Sequence, residues 1–332
     1  MTGHRLVQRE GGNLVWPADT GTIIDRIGNT PLYPLKRREP MAPGSEIWAK
    51  LEHVNPGGSI KDRTAAMMII DGIARDELRK GKTIIDSTSG NTGVALALIG
   101  KSLGYDVTIC MSDGVSRDLK RILITFGAEL VLTDERLGSD GAMAKAFEIA
   151  GSDPARYFMP DQYSNPANPL VHYLTTAPEI WQQTAGRITH LVTSIGTSGT
   201  MVGTSSRLRE YNPQIQIVAV EPDAPSHGLY GMRHIPSTIR PRIYREDAFD
   251  RLIRVPTETA YDTARHLART EGLLLGASSA AVIEAARIVA RDRRDARIVA
   301  ICADGGTRYL STRMFEAPEP TAPAATLPAV TG

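Results

Sequence analysis

Residues 50–63 read KLEHVNPGGSIKDR, and a second small and polar stretch, STSGNTG, occupies residues 87–93. The first stretch begins at the end of a short apolar run, passes through a glycine-rich turn and leads into a segment with helical period. A strand, a tight turn and a helix in this order are typical of a parallel βαβ unit. Lys61 lies at the mouth of that turn, where its amine can face a ligand.

The same alternation continues through the rest of the chain. After residue 46, short β-branched or apolar runs alternate with longer segments of helical period, which predicts an α/β fold with two Rossmann-like halves. We expect strands at residues 47–51, 83–86, 107–111, 129–132, 190–194, 215–221 and 298–303, and helices at residues 62–79, 92–103, 116–126, 140–150, 178–183, 199–210, 258–270 and 279–292.

These elements divide the chain into two predicted domains. A smaller N-terminal α/β domain covers residues 47–158. A larger domain combines residues 21–46 with residues 159–315, because the lead-in at residues 24–36 is expected to pair with the second half of the chain.

Both ends of the chain are expected to lie outside these domains. Residues 1–20 are predicted to be a flexible lead. Residues 316–332 are rich in proline and alanine, cannot form a regular hydrogen-bond ladder and offer little to bury, so we predict a disordered tail.

The composition excludes several classes of partner. Lys plus Arg total 38 against 37 Asp plus Glu in 332 residues, a balance that favours a small molecule over nucleic acid or an anionic membrane. Cys110 and Cys302 stand far apart in apolar runs, which excludes a zinc motif and argues against a disulfide framework. Neither a signal-peptide stretch nor a membrane span is evident, so we expect a cytoplasmic protein without a metal.

A third stretch, SIGTSGT at residues 194–200, follows a predicted strand and opens a predicted helix. Its N–H groups and hydroxyls can bind an anion, such as a cofactor phosphate, at the positive end of the helix, although a plain tight turn fits equally well. It is neither a Walker loop nor the dinucleotide fingerprint. A lysine beside a hydroxyl-rich loop and an anion cradle indicates a Schiff base with an aldehyde cofactor, although an arbitrary lysine is usually a solvated surface group.

Together, the three stretches, in this order and spacing, resemble the cysteine synthase and cystathionine β-synthase family of pyridoxal-phosphate enzymes, nearest to the O-phosphoserine- or O-acetylserine-dependent cysteine synthases. The resemblance runs from residue 27 to residue 312. It implies two Rossmann-like three-layer αβα domains of the tryptophan-synthase-β-like type (PLP fold type II), with a mobile substrate loop in the smaller domain and the cofactor phosphate in the larger. It also implies a homodimer with pyridoxal 5'-phosphate as cofactor.

On the family's pattern, Lys61 forms the Schiff base with the cofactor and then moves the Cα proton of the substrate. Asn91 is implied to hydrogen-bond the ring hydroxyl of the cofactor, and residues 276–279 to line the ring. The implied phosphate ligands are Gly196, Thr197, Ser198, Gly199 and Thr200, and the implied substrate-carboxylate ligands are Thr88, Ser89, Asn91, Thr92 and Gln162. Read alone, Thr88 and Ser89 could equally cap the following helix, and Gln162 could be an ordinary turn residue.

The chain departs from the family's pattern at Gly305. Family members commonly carry Asp-Ser-Gly there, with the serine hydroxyl facing the pyridine nitrogen, whereas residues 304–306 read Asp-Gly-Gly. Gly305 is thus implied to lie against the cofactor ring without offering a hydroxyl. A ring nitrogen left unprotonated suits β-elimination, which does not need a fully developed ring-stabilised carbanion.

Arg233 matches the position at which O-phosphoserine-using cysteine synthases place an arginine close to the leaving group. A phosphate monoester carries a charge of about −1.5 to −2 near neutral pH, and a guanidinium can bind it in bidentate fashion. The alternative is that Arg233, Arg240, Arg242 and Arg245 only decorate an exposed loop.

The resemblance therefore implies β-replacement on an O-activated L-serine through an aminoacrylate, giving L-cysteine or an analogue, with O-phosphoserine favoured as donor and O-acetylserine next. The same half-reaction with another nucleophile would make a 2,3-diaminopropionate derivative, S-sulfocysteine or cystathionine. A third hypothesis is a non-catalytic family member that binds or regulates a partner. Lys61, Asn91 and Gln162 argue against it, because a pure binder has no chemical need for the amine.

Overall fold

Strand and helix alternate along most of the chain, as the sequence pattern predicts. The computed structural model describes residues 6–36, 41–88 and 90–316. Ser89, the first five residues of the predicted lead and the predicted tail beyond Glu316 lie outside the described residues.

Two sheets, a larger mixed one and a smaller parallel one, form the fold. The strands of the described part are β1 (Gln8–Glu10), β2 (Asn13–Val15), β3 (Leu32–Pro34), β4 (Glu46–Leu51), β5 (Thr83–Ser87), β6 (Asp106–Ser112), β7 (Glu129–Thr133), β8 (Tyr157–Phe158), β9 (His190–Ser194), β10 (Gln216–Pro222), β11 (Arg251–Val255) and β12 (Arg297–Cys302). Its α-helices are α1 (Lys61–Ala74), α2 (Asn91–Ser102), α3 (Arg117–Thr125), α4 (Gly138–Ser152), α5 (Ala167–Val171), α6 (Ala177–Gln183), α7 (Gly199–Tyr211), α8 (Thr257–Glu271) and α9 (Ala277–Asp292). A π-helical turn, His172–Thr176, joins α5 to α6.

The larger sheet has the strand order β11-β10-β9-β12-β4-β3, and β3 runs antiparallel to β4 while the other neighbours are parallel. The smaller sheet has the order β7-β6-β5-β8 and is parallel throughout. The chain order reverses between β9 and β12 in the larger sheet and between β5 and β8 in the smaller one. Ligands of open α/β sheets bind at the carboxyl ends of the strands beside such a reversal. The two predicted Rossmann-like halves are confirmed.

Helices cover the sheets closely because the contacting side chains are small or apolar. The alanines of α9 at positions 280, 281, 285 and 286 are fully buried in the core of the larger sheet. Central strands such as β10 and β12 are buried along nearly their whole length, which explains their continuous apolar sequences. Within the described ranges, no helix is both long enough and apolar enough to cross a membrane.

The predicted domain boundary at residue 47 is wrong. β4 belongs to the larger sheet, where it pairs in parallel with β12 from Glu46 against Arg297 to Leu51 against Cys302. Its apolar side chains pack into the core of that sheet, whereas the next helix, α1, packs into the core of the smaller sheet. A buried apolar strand carries no mark of the sheet that it joins, so the alternation alone groups it with the helix that follows.

The segment before β4 agrees in part with the predictions. Of residues 24–36, which are predicted to pair with the larger half, β3 (Leu32–Pro34) lies beside β4 at the edge of the larger sheet, whereas Ile24 and Ile27 are buried in the core of the smaller sheet. The prediction of a flexible lead over residues 1–20 is wrong for its described portion. There β1 and β2 form an antiparallel hairpin, and Leu6 and Leu14 are buried in the core of the smaller sheet.

Candidate active site

One cavity lies beside the points at which the strand order of the two sheets reverses. It has a volume of about 920 Å³ and takes its walls from both sheets. Ser87 and Ser112, at the ends of β5 and β6, lie on the side of the smaller sheet. Ser194 and Ile301, near the ends of β9 and β12, lie on the side of the larger sheet. The cavity therefore occupies the place at which open α/β sheets bind ligands.

Most of the sequence-predicted site residues meet in this cavity. Those that line it are Lys61, Thr88, Asn91, Thr92, Gln162, Gly196, Thr197, Ser198, Thr200 and Arg233. Gly199 and Gly305 are not part of its lining, and Ser89 lies outside the described residues. In the part of the chain that the structure describes, no group of three or more His, Cys, Asp or Glu residues could hold a metal ion.

Lys61 is the first residue of α1, directly after the glycine-rich turn. The turn is fastened to the end of β12, since Ile60 donates its N–H to the carbonyl of Ala303 at 2.8 Å and Ser59 forms a bridge with Asp304. Burial lowers the pKa of the Lys61 amine, and the carboxyl of Asp304 opposes that shift. A lysine with a lowered pKa is more often unprotonated near neutral pH and can then attack an aldehyde.

The buried side chain of Asp62 is hydrogen-bonded to the glycine-rich turn. One of its carboxylate oxygens accepts the N–H of Gly57 at 2.5 Å, and the other has no hydrogen-bond partner among the described residues. Burial raises the pKa of this carboxyl to about 7. A Cβ at Gly57 would collide with the same carboxylate, so this close approach requires glycine.

Asn91 begins α2 and connects the two sides of the cavity. Its Nδ2 donates to Asp304 Oδ2 at 2.8 Å, and its Oδ1 accepts from the guanidinium of Arg308, which also donates to the carbonyl of Gly57. Tyr309 donates its hydroxyl to the same Asp304 oxygen at 2.5 Å. Burial raises the pKa of Asp304, and the hydrogen bonds from Tyr309 and Asn91 oppose that shift.

The glycine-rich loop at residues 196–200 forms the turn between β9 and α7. Ser198 has a left-handed backbone with a φ of 76°, and its Oγ is buried without a hydrogen-bond partner in the described ranges. A Cβ at Gly196 would lie 2.5 Å from the carbonyl oxygen of Gly231, so two backbones pass close to each other here. An unpaired hydroxyl beside the N-terminus of a 13-residue helix fits a phosphate group.

Gly199 supports this loop from behind although it does not face the cavity. A Cβ at Gly199 would collide with the side-chain amide of Asn168. Nδ2 of Asn168 donates to Thr197 Oγ1 at 3.0 Å and to the carbonyl of Gln162 at 2.7 Å. The same amide therefore positions the loop and the segment that carries Gln162.

Several hydroxyl and amide side chains lie near the point at which the strand order of the smaller sheet reverses. Thr92 donates from Oγ1 to Gln162 Oε1 at 2.9 Å, and both side chains are buried. Thr88 accepts the N–H of Gly90 at its Oγ1 at 3.2 Å and also lines the cavity. Thr88 therefore forms a local turn before Gly90, the N-cap residue of α2, and does not cap the helix itself.

Arg233 lines the cavity from the side of the larger sheet. Its guanidinium stacks over the ring of Tyr163, 4.5 Å from the centroid, and its backbone N–H donates to the carbonyl of Ile195 at 2.8 Å. Within the described part of the chain, this guanidinium has no carboxylate at ion-pair distance. By contrast, Arg240 and Arg245 form exposed ion pairs with nearby carboxylates. Arg233 differs from these loop arginines because it faces the cavity.

His172 is fully buried behind the glycine-rich loop. Its Nε2 lies 3.2 Å from Thr200 Oγ1 and 3.3 Å from Thr64 Oγ1, and its Nδ1 lies 3.0 Å from Thr176 Oγ1. Burial, followed by the charges of Arg63 and Lys61, holds the pKa of this imidazole well below its usual value. The neutral ring fixes the hydroxyl of Thr200, which is one of the predicted phosphate ligands.

Gly305 and most of residues 276–279, which are implied to lie against the cofactor ring, are not part of the cavity lining. Gly305 pairs with Leu275 in an isolated bridge, and a Cβ there would lie 3.3 Å from the Cβ of His53. Of the four residues 276–279, only Ser278 lines the cavity. Asp304, immediately before Gly305, is part of the cavity wall instead.

Asp304, Arg308 and Tyr309 all line the cavity, and the sequence pattern did not predict them as site residues. The signal that could have found them is their position after β12, which is the last strand among the described residues and borders the reversal of the larger sheet. Charged and aromatic residues just beyond the carboxyl end of such a strand are candidates for a ligand site.

Comparison with known proteins extends over nearly the whole chain. The family described as pyridoxal-phosphate dependent enzyme matches residues 23–304. The chain is similar to the cysteine synthase of Aquifex aeolicus (strain VF5), with 47% identity over 300 residues that cover 89% of this chain and 92% of that protein. It is also similar to the crystal structure of a cysteine synthase from Entamoeba histolytica, with a TM-score of 0.86, 34% identity and 94% of each chain covered. The crystal structure of an O-ureido-L-serine synthase matches with a TM-score of 0.84 and 36% identity, covering 91% of this chain and 97% of that one.

The chain therefore belongs to the pyridoxal-phosphate-dependent enzyme family, and pyridoxal phosphate is its cofactor. Within that family it is a cysteine-synthase-like enzyme of fold type II, in the transferase and lyase class. The predicted family, fold class, enzyme class and cofactor are confirmed.

Proposed function

We propose that this enzyme performs β-replacement on an O-activated L-serine and gives L-cysteine, with O-phosphoserine as the favoured donor and O-acetylserine next. The observation that carries the proposal is the meeting of Lys61, Asn91, Ser198 and Arg233 in one cavity between the two sheets. Relatives that are named cysteine synthase support the choice of product.

The residues of the cavity fit the cofactor. The loop at residues 196–200 would hold its phosphate, because the buried hydroxyl of Ser198 has no partner in the described ranges and lies at the start of α7. Lys61 would hold its aldehyde carbon, and Asn91 would donate to its ring oxygen. When bound, the cofactor supplies a conjugated ring that accepts the electrons left when the Cα–H bond of the substrate breaks.

Lys61 has a second task, which is to move the Cα proton of the substrate. Once the amino group of the substrate has displaced it, the lysine amine is free to act as a base. Its lowered pKa favours the unprotonated form that accepts a proton near neutral pH. Asp304 raises the pKa of Lys61 and so limits how far the base is weakened.

The substrate carboxylate would be bound at the reversal of the smaller sheet. The Thr88 hydroxyl and the Gln162 side-chain amide offer donors there, whereas the Thr92 hydroxyl donates to Gln162 Oε1; Asn91, Thr92 and Ser89 complete the set on the family's pattern. Donors around the carboxylate orient the Cα–H bond relative to the cofactor ring. The hydrogen bond between Thr92 and Gln162 fixes two of these side chains relative to each other.

Arg233 would select the donor. Its guanidinium carbon lies 4.5 Å from the centroid of the Tyr163 ring, and no carboxylate of the described residues pairs with it, so its N–H groups can bind phosphate oxygens. A phosphate leaving group carries about −1.5 to −2 charge near neutral pH, whereas the acetyl group of O-acetylserine is neutral and gains little from a cation.

Spectral titrations of the cofactor-loaded enzyme test this choice of donor. For Arg233→Ala we expect the half-saturating concentration of O-phosphoserine to rise about tenfold to a hundredfold, because a hydrogen-bonded charge pair is lost, and that of O-acetylserine to rise less than about threefold. Arg240→Ala is the matched control, since Arg240 pairs with Glu246 at 3.0 Å on the surface. An equal rise for both donors would reject the assignment of Arg233.

Reconstitution with cofactor tests the enzyme itself. Wild-type protein mixed with pyridoxal phosphate is expected to show the absorption band of a lysine-bound cofactor, and Lys61→Ala is expected to lack it. A band that persists in Lys61→Ala would move the Schiff base to another lysine. A wild type without a band would reject Lys61 as the residue that holds the cofactor.

Comparing kcat/KM for different nucleophiles with the same donor identifies the second substrate. Similarity to an O-ureido-L-serine synthase, whose name denotes another product, makes this measurement necessary. We expect sulfide to give a higher kcat/KM than thiosulfate, homocysteine or a small amine, with the same donor. A higher value for one of the others would replace cysteine with S-sulfocysteine, cystathionine or a 2,3-diaminopropionate derivative as the product.

We also propose a homodimer, which the family resemblance implies. Light scattering of the cofactor-loaded protein should then give about twice the chain mass of 36.0 kDa. A mass of one chain at micromolar concentration would contradict the dimer.

A further inference from the structure

The side-chain amide of Asn91 lies between two groups of opposite hydrogen-bonding character. On one side, the guanidinium of Arg308 donates to Oδ1 of Asn91. On the other side, Nδ2 of Asn91 donates to Asp304 Oδ2 at 2.8 Å. An arginine only donates and an ionised carboxylate only accepts, so this pair of neighbours permits one of the two orientations that an amide can take.

Arg308 is itself held in place. Its guanidinium also donates to the carbonyl of Gly57, and Gly57 in turn donates its N–H to the buried carboxylate of Asp62 at 2.5 Å. A Cβ at Gly58 would lie 3.2 Å from Arg308 Nη2, so the second glycine of the turn leaves room for the arginine. The guanidinium therefore joins three segments, which are the turn before Lys61, the start of α2 and the chain after β12.

The orientation of the amide decides what Asn91 offers to the cavity. The NH2 group carries two N–H donors, so the contact with Asp304 leaves a second donor on the same side. Turned over, the amide would present its carbonyl oxygen, which repels an oxygen of a ligand. A hydroxyl or oxyanion on the cofactor ring gains from the first orientation and loses from the second.

We propose that Arg308 is a positioning residue that fixes the Asn91 amide with its NH2 group toward the ring oxygen of the cofactor. The proposal rests on the proposed function, in that Asn91 contacts the cofactor. It adds that Arg308 acts on cofactor affinity through Asn91, and that Gly58 leaves room for the guanidinium.

A double-mutant cycle on cofactor affinity tests this proposal. The dissociation constant of pyridoxal phosphate is measured by equilibrium dialysis for wild type, Arg308→Met, Asn91→Ala and the double variant. We expect Arg308→Met to raise the constant about tenfold in the wild-type background and less than about twofold when Asn91 is already alanine, since the lost interaction is one hydrogen bond to a charged group. Arg313→Met is the matched control, because Arg313 is exposed, belongs to the same segment and pairs with Glu258.

Two further measurements separate positioning from folding. Urea unfolding of each cofactor-free variant reports stability, and a loss of cofactor affinity that follows stability across the variants would overturn the proposal. An Arg308→Met effect of the same size in the Asn91→Ala background, or no effect of Asn91→Ala on affinity, would also overturn it. Asn91→Asp keeps an acceptor for Arg308 but lacks the NH2 group, and we expect it to lose affinity as Asn91→Ala does. Because dialysis measures binding without turnover, failure of this cycle is distinguishable from failure of the proposed reaction.

Discussion

Arg63 and Glu52 form a bidentate ion pair in the protein interior. The guanidinium donates from Nε to one carboxylate oxygen at 2.8 Å and from Nη2 to the other at 2.9 Å. Glu179 contacts the same guanidinium at 2.6 Å and pairs with Lys50 at 2.6 Å. Burial opposes ionisation of Glu179, but the hydrogen bonds and charges of Arg63 and Lys50 prevail and hold its pKa at about 2. Two buried cations and two carboxylates thus balance each other where the chain passes from β4 to α1.

Removing one charge of this buried group should lower the free energy of unfolding more than removing an exposed charge does. In Glu52→Gln, Arg63 loses one of its two counter-charges in the interior, and we expect the free energy of unfolding to fall by about 3–5 kcal/mol. Urea denaturation measures the change. Asp76→Asn, which breaks an exposed pair with Arg79, should cost less than about 1 kcal/mol. Losses of equal size in the two variants would contradict the interior balance.

The charge of Asp304 should set the pH at which the cofactor binds. The carboxyl raises the pKa of Lys61, so Asp304→Asn is expected to lower that pKa further. Since the amine must be unprotonated to attack the aldehyde, the midpoint of the rate of cofactor binding should move to lower pH in the variant. Stopped-flow absorbance over a pH series measures the midpoint, and a shift to higher pH would show that Asp304 does not act through the charge of Lys61.

A methyl group at Gly196 should weaken the hold on the phosphate. Its Cβ would lie 2.5 Å from the carbonyl oxygen of Gly231, so the loop must move away from the start of α7. We expect Gly196→Ala to bind pyridoxal phosphate at least about tenfold more weakly and to change the affinity for pyridoxal, which lacks the phosphate, much less. Gly151→Ala is a control with open space around the new methyl group. Equal weakening for both ligands would indicate damage to the whole cavity.

Stability should fall as the pH rises through the range in which Asp86 titrates. This buried carboxyl, which accepts the N–H of Ser87 at 2.7 Å, has a pKa raised by burial to about 7. Its ordinary value in the unfolded chain is about 3.9, so between these two values the folded protein retains a proton that the unfolded chain releases, and raising the pH favours unfolding.

Asp86→Asn should therefore flatten the dependence of stability on pH. We expect the slope between about pH 4 and pH 7 to become less negative by up to about 1.4 kcal/mol per pH unit, which corresponds to one proton. Urea denaturation across this range measures the slope, and Asp106→Asn, at an exposed position, is the control. The buried carboxyl of Asp62 contributes in the same direction and remains in both proteins. A slope that Asp86→Asn does not change would place the pKa of Asp86 near its ordinary value.

The central part of the site could be predicted from the sequence because its signals are local. Lys61, Asn91 and the loop at residues 196–200 each follow a buried strand with small or hydroxyl-bearing residues, and the carboxyl ends of parallel strands meet at one edge. Their convergence in one cavity follows from that geometry.

The remaining features depend on long-range packing that local patterns do not encode. Arg308 and Asn91 are 217 residues apart in the chain, and their contact exists only once the two halves are assembled. The sheet that β4 joins is likewise decided by its neighbours, β3 and β12. Apolar alternation identifies a buried strand, but it carries no information about which strand lies beside it.

The chain passes from β4, in the larger sheet, to α1, which packs against the smaller sheet, and Lys61 is the first residue of α1. Residues 52–60 connect the two cores and are fastened to the end of β12, and Lys61 directly follows them. Lys61 therefore stands at the covalent junction between the two halves of the fold.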